Sequence, residues 1–328
     1  MRTRTLTGAA LAATLAVGLT GCAGDLPGAG TAESDYPTRA VELVLPFGSG
    51  GATDIAARAM AEALGQQLGQ PLNATNQTGA QQVPAVSGVL GAAADGYTLL
   101  ADGAGSSSIQ SLLPDLPYEW DDRTFIANVA SGAHAYAVGA ASGVTTLGEL
   151  EEKAQADPSS FRVAWLGGTT TSDYATLQLL DEIDVDPADV VRVPFDGSGE
   201  AMQAAAAGDV DLASGGSSAI ASLYSSGDLV PLALTAEDPN YPEIPLASDE
   251  GYEELDLQYW VGLSGPAGLP EPVVQSLVDA LGELAEGGQL DDTFAKLGMT
   301  VDIVTGDELD AAVHEEAETF RELGELVG

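Results

Sequence analysis

Glycine, hydroxyl and carboxylate residues crowd together early in this chain. Val41-Glu42-Leu43-Val44-Leu45 is an apolar run, Pro46-Phe47-Gly48-Ser49-Gly50-Gly51 is a glycine-rich turn, and Thr53-Asp54 opens an amphipathic stretch through Ile55, Ala56, Ala57, Arg58, Ala59 and Met60. A strand that empties through such a turn into a helix aims several backbone N–H groups and the positive end of the helix dipole at one point. Such a point suits a carboxylate or a phosphate. A dinucleotide fingerprint fails on detail, because its third glycine is absent and position 53 is Thr. Asp54 falls in the first turn, where the dipole favours an acid. Close to an ionised ligand it would repel, so it either orients the loop or meets a ligand amine.

A second donor-rich run is Gly167-Gly168-Thr169-Thr170-Thr171-Ser172-Asp173. Glycine amides and hydroxyls can satisfy both oxygens of a carboxylate without a buried lysine. The same residues also read as a helix entry capped by Thr or Ser. Arg58, Arg162 and Arg192 are the cations nearest these segments and read as surface charges; Trp165 and Trp260 read as core. Catalysis finds little company. His134 and His314 are the only histidines, and Gly215-Gly216-Ser217-Ser218 breaks the nucleophile-elbow pattern at Ala219. Acidic pairs such as Asp121-Asp122 and Glu315-Glu316 are adjacent along the chain, which suits solvation rather than shared acid–base work. No histidine-rich metal constellation exists. The expectation is a binding protein without cofactor or metal, with a secreted hydrolase as the alternative from another class.

The positioning elements follow from periodicity. Apolar strands and helical stretches alternate: Val41–Leu45, helix 53–68, Leu72–Asn76, helix 83–93, strand 98–100, then helix 147–155, Arg162–Trp165, helix 171–182, strand 190–193, helix 198–207 and strand 210–213. That is α/β layering. The chain then crosses back through 255–262. After Pro270 and Pro272, Val273, Leu277, Leu281 and Leu284 share one helical face, and Leu309, Val313, Phe320 and Leu323 share another. The economical architecture is two α/β lobes, the second inserted in the first, with residues 37–135 and 255–328 in lobe 1 and 136–254 in lobe 2.

The leader and the charge bound the compartment. Arg2 and Arg4 precede an apolar core, and Leu19-Thr20-Gly21-Cys22 closes it with small residues before the only cysteine. The core is short for a bilayer span, so residues 1–21 read as a cleaved signal peptide. The tetrad resembles the bacterial lipobox, which implies lipidation of Cys22, with 22–36 as a tether to the outer face of the cytoplasmic membrane. One cysteine permits no intramolecular disulfide. Ten basic residues stand against 50 acidic ones, for a formal charge of −40. Nucleic-acid binding is excluded, because phosphate contacts need clustered Lys and Arg. With 45% hydrophobic residues the chain can still bury a core. Such an acidic surface suits a salty exterior, where screening relieves self-repulsion.

At this point the chain resembles the substrate-binding receptors of the tripartite tricarboxylate transporters, the Bug receptors. Tyr36-Pro37-Thr38-Arg39, then Val44, Pro46, Phe47, Gly50, Gly51 and Asp54, then Asp95-Gly96-Tyr97-Thr98-Leu99-Leu100 and Leu116-Pro117-Tyr118 carry the likeness. Val193-Pro194-Phe195 with Gly197, Ala206 and Gly208 with Val210-Asp211, and Gly265-Pro266-Ala267-Gly268 continue it in family order. The resemblance implies a two-lobed, type II periplasmic-binding-protein-like fold that closes on a small carboxylate, di- or tricarboxylates first. It implies a monomer that hands the ligand to membrane permease subunits. A solute sensor for a membrane signalling partner is the other reading of such a fold.

The ligand residues so implied are Phe47, Ser49, Gly50, Gly51, Thr53 and Asp54; Gly79, Gln81 and Gln82; Ser106 and Ser107; Gly167, Gly168, Thr169, Thr170, Thr171, Ser172 and Asp173; and Phe195 and Gly215. Trp165 with Ser172-Asp173 resembles the tricarboxylate-type branch. Two departures stand out. Gln81-Gln82 replaces a Gly-Gly of the family segment Asn-x-Pro-Gly-Ala-Gly-Gly, and Gly215 stands where many relatives carry Asp.

Overall fold

A computed structural model of the chain describes residues 36–46, 48–49 and 52–326. The leader, the tether up to residue 35 with Cys22, and Phe47, Gly50 and Gly51 lie outside the described residues. The elements in order are β1 (Val41–Leu45), α1 (Ala52–Leu68), β2 (Leu72–Asn76), α2 (Val83–Leu90), β3 (Thr98–Asp102) and β4 (Arg123–Gly139). There follow α3 (Leu147–Ala156), β5 (Arg162–Trp165), α4 (Thr171–Glu182), β6 (Val191–Pro194), α5 (Ser198–Ala207), β7 (Ala213–Gly216), α6 (Ala221–Ser226) and β8 (Leu229–Leu234). The chain ends with β9 (Gln258–Pro266), α7 (Glu271–Glu286), α8 (Asp291–Ala295), β10 (Met299–Thr305) and α9 (Gly306–Glu325).

One strand organises everything. β4 is 17 residues long and takes part in two hydrogen-bonded surfaces. Its first part, Arg123 to Ala133, pairs antiparallel with β9 and β10, in the strand order β10-β4-β9-β3-β1-β2. From His134 onward it pairs instead with β7 and β8. Ala133 lies opposite Gln258 of β9, and the next residue, His134, lies opposite Gly216 of β7. The handover therefore falls between two consecutive residues. β5 and β6 form a short parallel pair, reached from β7 through a bridge between Val163 and Leu212.

Sequence periodicity misses β4 for a physical reason. Ala127 to Gly139 is dominated by Ala and Gly, with Val129, Tyr136 and Val138 too scattered to mark a strand, and nearly every position is buried, so no alternation shows. The expected strand at 210–213 is displaced: the hydrogen-bonded strand is Ala213–Gly216, and Leu212 contributes only the bridge to β5. The two terminal helices form as their apolar spacing requires, with Val273, Leu277, Leu281 and Leu284 buried in α7 and Leu309, Val313, Phe320 and Leu323 in α9.

Apolar side chains gather in separate cores on either side of the handover. On one side, α1 and α7 pack Ala56, Met60, Leu64, Leu277 and Leu281 against Leu43, Leu45 and Leu99. On the other side, Tyr136, Leu150, Phe161, Val163, Leu179 and Leu180 form a second core, and Met202, Ala213, Ile220 and Leu229 belong to a third. α9 seals the junction, with Phe320 packed at a tilt against Tyr174 of α4, 4.6 Å between ring centroids.

Candidate functional site

Three helices begin at one cleft. Ala52 and Thr53 of α1, Thr170, Thr171 and Ser172 at the entry of α4, and Asp196, Gly197, Ser198 and Gly199 at the entry of α5 line a cavity of about 760 Å³. Pro46, Gly48, Ser49, Gln82, His134, Leu166, Gly216, Ser218, Ala219 and Tyr259 complete the wall. The first N–H groups of a helix have no intrahelical acceptor, and the dipole concentrates positive potential there. Three such ends on one cavity make an anion site from backbone alone. No lysine or arginine is among the described lining residues, and Asp196 is the one carboxylate among them.

The entry of α4 shows how the sequence builds one wall. Thr170 caps the helix, its Oγ1 accepting the Asp173 N–H at 3.3 Å. The Asp173 carboxylate turns back into the preceding loop, accepting the N–H of Leu166 at 2.6 Å, the N–H of Gly168 at 2.9 Å and the Thr170 hydroxyl at 2.9 Å. Burial raises its pKa, and these donors oppose the shift. The loop is thus folded around Asp173, which leaves Thr171 and Ser172 at the cleft.

The opposite wall is tied by a network around Asp54. Its carboxylate accepts from Asn76 Nδ2 at 2.7 Å and from Arg58 Nε at 3.2 Å, while Ser49 Oγ donates to Asn76 Oδ1 at 3.1 Å. Gln82 reaches the cleft on an unusual backbone. Ala80, Gln81 and Gln82 all adopt positive φ, at 45°, 53° and 67°. Each left-handed non-glycine residue costs roughly 1–2 kcal/mol, so this loop keeps a glycine-like path at a steric penalty. Gln110 braces it, donating from Nε2 to the Gln81 and Gly105 carbonyls at 2.8 Å each. The Gln82 Oε1 is buried with no hydrogen-bond partner among the described residues.

The floor is made by β4, β7 and β9. Tyr259 lies across the handover over Gly132, where a Cβ would fall 2.4 Å from the ring, so a glycine is required there. Burial pushes the Tyr259 hydroxyl up to about 12. Beside it, at 5.6 Å between centroids, sits the His134 imidazole, whose pKa burial lowers to about 4.

Comparison with known proteins assigns this architecture. Residues 56–325 match the tripartite tricarboxylate transporter family receptor. The chain belongs to this family. Protein BugT of Bordetella pertussis is 27% identical over 290 residues, covering 87% of this chain and 88% of its own. The structure of MatC from Rhodopseudomonas palustris with bound malate superposes with a TM-score of 0.73 at 27% identity, over 88% of this chain and 99% of that one. The R. palustris protein Rpa4515 with adipate shares the fold at a TM-score of 0.78 and 24% identity, over 89% and 98% of the two chains. The protein is therefore an extracytoplasmic solute-binding receptor with the two-lobed α/β fold of periplasmic binding proteins, in a family of receptors rather than enzymes that bind small carboxylates and work with transporter membrane subunits. No helix among the described residues is long and apolar enough to cross a membrane.

Within this receptor the residues singled out from sequence fall into distinct places. Ser49, Thr53, Gln82, Thr170, Thr171 and Ser172 share the cleft. Asp54 and Asp173 stand behind its walls in the networks just described. Gly79 and Gln81 belong to the left-handed loop that carries Gln82. Ser106 and Ser107 are fully buried, their hydroxyls donating to Asp102 Oδ1 and the Gly103 carbonyl. Phe195 packs on the third core, and Gly215 lies where a Cβ would meet the Ser198 side chain at 2.7 Å, so the entry of α5 can approach β7 only because that position is bare. Gly167, Gly168 and Thr169 open instead onto a separate cavity of about 600 Å³, with Trp165, Arg192 and Arg321. Arg192 lies 5.1 Å from the Trp165 ring centroid there, and Arg58 faces another depression at the α1–β2 surface.

Sequence reasoning missed Asp196, Ser198, Gly199, His134, Ser218 and Tyr259. A signal existed for the first three: Phe195-Asp196-Gly197-Ser198-Gly199 is a third glycine-rich entry to a helix. His134 and Tyr259 gave none, because both depend on the unrecognised β4 and its pairing.

Proposed function

We propose that this receptor is lipid-anchored through Cys22 and captures a di- or tricarboxylate between its two lobes, releasing it to permease subunits. The observation that carries the ligand class is the convergence of three helix N-termini on a cleft whose described wall holds no cation. The N–H groups of α1, α4 and α5 and the hydroxyls of Thr53, Thr171, Ser172, Ser198 and Ser218 supply fixed donors, and bonds from them to a carboxylate are charge-assisted. The cavity falls in the ordinary range of small-molecule sites, roughly 300–1,000 Å³. The malate bound to MatC, a relative of similar length, supports the same class.

Phe47, Gly50 and Gly51, which fall by sequence between Pro46 and Ala52, are kept as ligand residues of this reading. Asp54, Gly79, Gln81, Asp173 and Gly215 hold the wall, with Ser106, Ser107, Phe195 and the 167–169 loop as its outer support. We keep lobe limits of 37–135 with 255–328 and of 136–254, a reading that the change of strand partners near His134 supports. Hinge closure there stabilises the bound form through contacts made to both lobes at once.

A thermal-shift screen over di-, tri- and aromatic carboxylates at high salt tests the cargo. A concentration-dependent rise in melting temperature with at least one di- or tricarboxylate is expected, and no stabilisation by any carboxylate overturns the assignment. Mass spectrometry of the protein from its own cells tests the anchor: an acylated Cys22 N-terminus is expected, and an unmodified cysteine contradicts it.

A further inference from the structure

A cleft that holds an anion inside a protein of formal charge −40, with no lysine or arginine on its described wall, lacks a compensating charge. Among the described lining residues, one can become cationic near neutral pH, and that is His134. Its backbone is pinned at the handover, the amide donating to Thr235 Oγ1 at 2.9 Å and the carbonyl accepting the Thr235 N–H at 3.0 Å. His134 is 1% exposed, and neither ring nitrogen makes a hydrogen bond of good geometry among the described residues, though the Gly215 backbone lies near enough to favour its protonated form. An imidazole so weakly satisfied beneath an anion site is not explained by packing alone, because burying its polar atoms poorly paired is unfavourable.

We propose that His134 takes up a proton when an anion occupies the cleft, so that the receptor captures ligand and proton together. The inference rests on the carboxylate reading above.

The surroundings leave room for this. Burial lowers the pKa of the ring to about 4, and the Gly215 backbone pulls the other way. From β9, the neighbour is Tyr259, a phenol held neutral by burial. From the segment after β8, Asp238 is occupied by the Ser217 hydroxyl at 2.5 Å. From the entry of α5, Asp196 lines the cleft, and Asp173 behind α4 is saturated by its own loop. A bound carboxylate adds negative potential across the Gly216–Ser218 floor, which raises the pKa of the imidazole. Because the free form is neutral above about pH 4 and the bound form holds its proton to higher pH, affinity rises as pH falls through the bound-state value. A bound anion on the same cavity is expected to shift the balance enough for about a tenfold gain in affinity between pH 8 and pH 5.

Citrate and malate, titrated calorimetrically in buffers of different ionisation enthalpy, serve as probes with the wild type and His134→Gln. The comparison cancels protonation of the ligand itself. The wild type is expected to take up more protons than the variant and to gain about tenfold more affinity from pH 8 to pH 5. Imidazole ¹⁵N spectra of the wild type need no variant, and with two histidines in the chain the exposed His314 is an internal control. The His134 signal should titrate at least one pH unit higher with citrate bound, while His314 stays unmoved. Binding with an unshifted His134 and identical pH profiles overturns this inference alone; no binding of either probe at any pH overturns it together with the carboxylate reading.

Discussion

Two buried polar clusters flank β4, and they are built in opposite ways. Behind the cleft, Asp102 accepts from the Gly103 N–H at 2.9 Å, from Ser106 Oγ at 2.5 Å and from Arg123 Nη1 at 3.0 Å, and Arg123 Nε donates to the Trp120 carbonyl at 2.7 Å. Both charged side chains are essentially unexposed. In the cleft, His134 and the Gln82 Oε1 are equally hidden yet unpartnered among the described residues, and Gln82 sits on a strained backbone. The first cluster spends most of its hydrogen-bonding capacity on itself, although Arg123 Nη2 is buried without a partner among the described residues, and it holds the fold. The second keeps capacity in reserve, as a binding site does.

The sharpest way to break this comparison is Asp102→Ala, which leaves Arg123 buried without its counter-charge. A loss of about 3–5 kcal/mol is expected, read as a fall in the urea midpoint. A loss below about 1 kcal/mol would put the Asp102 cluster in the same class as a surface pair.

A second test uses pH, because His134 and Glu316 respond with opposite sign. Glu316 of α9 is half-buried, accepts from Ser108 Oγ and from Trp260 Nε1, and has its pKa raised by desolvation to about 7. The folded protein therefore holds that proton above the value at which the unfolded chain releases it, and the stability so gained is lost as pH rises through 7. His134 is the reverse: the unfolded chain takes a proton near 6.5 and the folded one only near 4, so stability is lost as pH falls across that window. Relative to wild type, Glu316→Gln should gain stability from pH 4.5 to 7, and His134→Gln should gain it from pH 6.5 down to 4. Each difference is about 3 kcal/mol, read by chemical denaturation in the absence of ligand. Slopes of the same sign for the two variants would refute the contrast.

The smallest effect concerns the loop. Gln82→Gly should raise stability by about 1 kcal/mol, since glycine suits a left-handed φ, while weakening carboxylate binding. Gln81→Gly should stabilise similarly with less effect on affinity. A Gln82→Gly protein that binds as tightly as wild type would remove Gln82 from the ligand site.

Much of this was legible in the residues themselves. The β1–α1 turn, the Thr170-x-x-Asp173 entry and the apolar faces of α7 and α9 follow from local chemistry, and so do most element positions. The likeness from Tyr36 onward carried the fold class. What stayed hidden depends on long-range pairing. β4 lacks alternation because both of its faces are buried, so the handover at His134 and the role of Tyr259 were invisible. Ser106 and Ser107 look like ligand hydroxyls until their hydrogen bonds to Asp102 and the Gly103 carbonyl are seen. Gln81-Gln82 announced itself only as a departure, and the positive φ values show that the side chains changed while the loop kept a path suited to glycine.

Amide hydrogen exchange with and without citrate, at high salt, tests the central claim most directly. If three helix N-termini hold the carboxylate, protection on binding should concentrate at residues 52–54, 171–173 and 198–200. Protection confined to the Trp165–Arg192 cavity, or none at saturating citrate, would contradict it.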